Sequence, residues 1–91
     1  PLAALKTAIL TSGAGGTIPW ALASYLRSAA TYLTFNRPTW NSAACQQLLL
    51  FKVAVSVAMR VDPVAASQGA GWIASADAVR AAIPCLVVSV T

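Results

Sequence analysis

The sequence predicts an α/β protein of the α+β type, with two helices packed on one face of a small three- or four-stranded sheet. Three observations lead there. Along Val53 to Val61, VAVSVAMRV, the residues Val53, Val55, Val57, Met59 and Val61 fall on one side of an extended chain. Ala54, Ser56, Ala58 and Arg60 fall on the other, a period of two rich in β-branched residues. Two other segments carry apolar residues at helical spacing, Leu22, Leu26, Ala29 and Leu33 in one and Trp72, Ala76, Val79 and Ile83 in the other. Finally, the run from Cys85 to Thr91 suits a strand covered on both faces. The alternative is a small all-α bundle, because alanine is abundant and strongly helix-favouring.

Taken in order, PLAALKTAIL places Leu2, Leu5 and Ile9 at roughly helical spacing, yet Lys6 to Thr11 also reads as a strand. Gly13, Gly15 and Gly16 then break the chain. The helix expected over Ile18 to Thr34 has Thr17 as a capping residue and Pro19 in its first turn, where a missing N–H costs little. Asn36-Arg37-Pro38 lies at or just beyond its end. Thr39 to Leu50 is open. Asn41 or Ser42 caps a helix through Cys45, or the segment contributes an extra strand. Asp62-Pro63 stops the strand at 53–61.

VAASQGAG links that strand to the second helix, WIASADAVRAAI, with Asp77 near its start and Pro84 as its boundary. A membrane span is not expected. Leu48 to Val61 is interrupted by Lys52 and Arg60, whereas spanning takes about 20 predominantly apolar residues.

The 91 residues suit one compact domain over 1–91. Hydrophobic residues make up 58% and charged residues only 9%, against about 25% charged in an ordinary globular domain. That excludes disorder, which needs low hydrophobicity and high charge. It also leaves few groups to keep a monomer soluble, so a packed partner, an oligomer or a membrane surface is implied. The net charge of +4 is spread singly over Lys6, Arg27, Arg37, Lys52, Arg60 and Arg80. Nucleic-acid binding wants a patch or stripe of cations and is not expected. Cys45 and Cys85 lie too far apart for a CxxC motif, and in a secreted protein they would form one disulfide.

Catalytic chemistry finds few parts. There is no histidine, which removes the usual general base and the commonest metal ligand. The carboxylate side chains are Asp62 and Asp77, one at a turn and one assigned to a helix start. GAGG before a helix resembles a phosphate loop only weakly, since no Lys follows it, and Gly13, Gly15 and Gly16 make a weak anion nest at most. No catalytic residue, cofactor site or metal site is expected. Trp20 and Trp40, with Arg27 and Arg37, are candidates for contact with a membrane or partner, because Trp suits an apolar–polar boundary.

The function expected from these features is that of a small secreted, non-enzymatic protein. A toxin subunit or effector, matured by removal of a signal peptide, would act on a cell envelope or protein partner through an apolar, weakly basic surface. Two alternatives stand beside it: a structural or assembly subunit of an oligomer, and a piece of a larger enzyme.

Overall fold

The computed structural model describes residues 2–83, and every regular element among them is an α-helix. Helix α1 spans Leu2–Leu10, α2 Ile18–Leu33, α3 Pro38–Val61 and α4 Pro63–Ala82. They pack around a square: α1 on α2, α2 on α3, α3 on α4, and α4 back on α1. The diagonal pairs do not approach one another at the backbone. Leu5, Ile9, Leu22, Leu26, Leu48, Phe51, Val55 and Trp72 fill the centre. Ala29, Ala44, Ala58, Ala65 and Ala76 are buried where the helices meet.

The predicted sheet is therefore corrected to the all-α alternative, and the segment that misleads is 53–61. It is the second half of α3. The buried positions of that helix are Asn41, Ala44, Cys45, Leu48, Phe51, Val55 and Ala58. Their steps of three and four residues follow the helical period. Of the five residues that define the alternation, Val55 alone is fully buried, while Val53, Val57 and Val61 face outward. Each valine costs a helix at most about 0.7 kcal/mol relative to alanine. Burying Leu48, Phe51 and Val55 returns about 1.5–3 kcal/mol each, so packing overrides propensity. Thr39 to Leu50 resolves the same way. The helix begins at Pro38, with Arg37 as its extended N-cap residue, and Asn41 is buried inside it rather than capping it.

Other expectations meet the structure more closely. The stripe Leu22, Leu26, Ala29 is buried in α2, with Leu33 packed at its margin, and Pro19 sits in the first turn. Thr17 occupies the N-cap position but its side chain makes no capping hydrogen bond. The opening segment is helical, with Leu2, Leu5 and Ile9 buried. Trp72 and Ala76 are buried in α4, and Val79 and Ile83 pack against them.

The link VAASQGAG is not a loop. It forms the first half of α4, which starts at Pro63 directly after α3 ends. Gly69 explains why glycine is kept there. A Cβ on it would lie 2.6 Å from Met59 Cγ and Sδ and 3.1 Å from Val55 Cγ1, so its absence lets α4 close on α3.

The expected strand over 85–91 and the Cys45–Cys85 pairing involve residues outside the described range. The buried helix faces account for the bundle. Cys45 itself lies in the core-facing row of α3.

Candidate functional site

Helix α3 presents apolar side chains on two opposite sides. Its inner row packs the core. Its outer row steps through Gln46, Leu50, Val53, Val57 and Arg60 at intervals of four, three, four and three. At about 100° per residue these positions share one face, turned away from Leu48, Phe51 and Val55. Leu49 and Val61 flank it. Val53 is 62% exposed, Val57 58%, Val61 72%, and Leu49 and Leu50 44% each. From Gln46 to Arg60 the row is about 21 Å long at the helical rise. No carboxylate lies on it, and Gln46 and Arg60 are its polar ends.

The two aspartates serve the scaffold that holds this helix. Asp62 is the single residue between α3 and α4. Its carboxylate accepts from the Ala65 N–H at 2.9 Å, capping α4, and from the Gly15 N–H at 3.0 Å in the loop between α1 and α2. The anion that meets the glycine turn is therefore the chain's own side chain. Gly13 and Gly16 take positive φ values of 86° and 58°, which bring the Gly15 amide round to Asp62. The hydrogen bonds from Ala65, then Gly15, hold the Asp62 carboxyl below the usual range.

Asp77 lies in the interior of α4, not at a helix start as expected. It accepts from Lys52 Nζ of α3 at 2.8 Å and from Arg80 at 3.5 Å. The hydrogen bond from Lys52 is the main reason its carboxyl is also held low. Fifteen residues of helix separate the two carboxylates by about 22 Å, so they do not form an acid–base pair in this chain.

The structure does not bring the predicted contact residues together. Trp20 is exposed near the start of α2, whereas Trp40 lies beside its end. Trp40 stacks on Tyr32 with centroids 5.5 Å apart and meets Phe35 at 4.9 Å. This aromatic cluster clasps the turn between α2 and α3, where Asn36 takes a φ of 49°. Arg37 is exposed at the N-cap of α3. Arg27 projects from α2 into a shallow groove that it shares with Lys6 of α1. A separate apolar groove of about 590 Å³ runs between α1 and α4, lined by Leu5, Ala8, Trp72, Val79 and Ile83 among others. Among the described residues no group of three metal-ligating side chains gathers.

Sequence reasoning missed the outer face of α3 because the alternation over 53–61 reads as a strand, which puts Val53, Val55 and Val57 together on one side. The signal was there: an apolar row at 50, 53 and 57 in addition to the row at 48, 51 and 55. The same helix is long and apolar enough to cross a membrane by length and composition, with 33% of the relevant window buried in the bundle. No protein-family model matches the chain, and no curated protein or solved structure is similar to it.

Proposed function

We propose that this chain is an assembly subunit whose α3 outer face packs against another protein chain. The exposure of Leu49, Leu50, Val53, Val57 and Val61 along one helix carries this reading. A helix that is apolar all round is normally buried all round, and here the bundle covers only one side. The five side chains leave an apolar patch on the order of 500 Å², toward the large end of what a soluble monomer displays. The same conclusion accounts for the low charge content, since few polar groups are needed where the surface is covered.

Light scattering across a concentration series from low to high micromolar tests the proposal. Species larger than the monomer are expected to grow with concentration, and V53D/V57D is expected to abolish them while retaining the helical circular-dichroism spectrum. A secreted effector acting on a cell envelope would turn the same face to lipid. Co-sedimentation with anionic vesicles by a chain that stays monomeric would therefore replace the assembly reading with that one.

A further inference from the structure

We infer that the partner on the α3 outer face is a second copy of this chain, lying antiparallel across a two-fold axis at Val53. This rests on the assembly reading and adds the identity and register of the partner. The face is self-complementary about that residue. Gln46 lies seven positions before Val53 and Arg60 seven positions after it. An antiparallel copy places Gln46 opposite the partner's Arg60, and the partner's Gln46 opposite Arg60. Leu49 and Leu50 then meet the partner's Val57, and Val53 meets its own counterpart at the axis. The amide oxygen of Gln46 accepts from the guanidinium, so each polar end is satisfied by the other.

Charge decides the direction. Arg60 is exposed and has no carboxylate partner among the described residues. A parallel copy would set Arg60 against Arg60 and Gln46 against Gln46. The antiparallel copy keeps the two Arg60 positions about 21 Å apart along the helix, well beyond the screening length of about 8 Å at physiological salt. The apolar row fits the core of such a contact. An isologous interface needs about 800 Å² per partner, and the rim at Ser42, Ala43, Gln46, Ser56 and Arg60 adds to the apolar patch. A shallow crossing of about 20° keeps the ends of the row within reach of the long Gln and Arg side chains.

The sign of charge substitutions at position 46 tests the register in the full chain. In the antiparallel pair Q46E faces Arg60 twice, and the dimer dissociation constant is expected to fall roughly threefold to tenfold by sedimentation equilibrium. Q46R is expected to loosen the dimer, and Q46R/R60E to restore it, because each Arg then meets a Glu. Circular dichroism of every variant checks that the bundle is intact. If Q46E loosens the dimer or leaves it unchanged, or if Q46R/R60E is weaker than Q46R alone, the antiparallel register is overturned while the assembly reading stands. If the wild-type chain remains a strict monomer, both the second copy and its register are overturned, whether or not it binds vesicles.

Discussion

Phe51 and Val53 are two residues apart on α3, yet Phe51 is fully buried and Val53 is 62% exposed. The inner row, Leu48, Phe51 and Val55, and the outer row, Leu50, Val53 and Val57, have the same chemistry and nearly the same spacing. What differs is what lies opposite. The inner row faces α2 and α4, whose small buried residues Ala29, Ala65 and Gly69 allow close approach. The outer row faces nothing within the described chain. Apolarity alone thus does not tell which side of a helix becomes the core. The partner surfaces do.

The comparison breaks most sharply at Phe51. Replacing it with alanine should cost about 3–5 kcal/mol, measured by urea denaturation, because it empties the centre of the bundle. V53S on the opposite side should change the stability of the dilute monomer by no more than about 0.5 kcal/mol. Equal losses at both positions would mean that the two rows are not inner and outer.

The helix contact behind the inner row is sharpened by glycine. Gly69→Val should cost about 1–3 kcal/mol, because its side chain must displace Met59 and press on Val55. Gly71→Ala in the same helix meets open space and should stabilise by about 0.5–1 kcal/mol. Thermal unfolding of the pair would show opposite signs; a gain at both positions would mean that α4 does not approach α3 at Gly69.

A smaller effect links the rows to the scaffold through pH. The folded-state pKa values of Asp62 and Asp77 are both lowered. The folded chain therefore binds fewer protons than the unfolded chain in the acid range. The stability they contribute is fully present above the unfolded value of about 3.9 and is lost as pH falls through the lower folded values. D62N and D77N should each flatten the acid limb of a melting-temperature profile and leave the outer face unaltered. D62N should also speed amide exchange at Gly15, whose hydrogen bond it weakens. An unchanged acid limb in the double variant would remove both carboxylates from the scaffold.

The sequence was legible where one period dominated. In α2, the residues between Leu22, Leu26, Ala29 and Leu33 include Ser24, Arg27, Ser28 and Thr31, so the helical stripe stands out against polar neighbours. In α3, both faces are apolar, and a helix with two apolar rows leaves residues at 53, 55, 57, 59 and 61 that also satisfy a period of two. Asp77 was misplaced because the start of α4 was misplaced. With VAASQGAG read as a loop, its carboxylate falls near a helix start, and its partner Lys52 lies just before the strand expected over 53–61. The contact residues Trp20 and Trp40 were singled out by type alone, and the chain path puts them at opposite ends of α2.

By itself, the amino-acid sequence determined the stop at Asp62-Pro63, the glycine break after α1, the amphipathic stripe of α2 and the shortage of charge. Each of these depends on residues close together along the chain. Only the tertiary structure decided that 53–61 is helical, that Gly69 is a contact point, that Asp62 closes on the Gly15 amide 47 positions away, and that Leu50, Val53 and Val57 are left outside. Those outcomes depend on which surfaces compete to cover an apolar row, and that competition is settled between helices rather than within one.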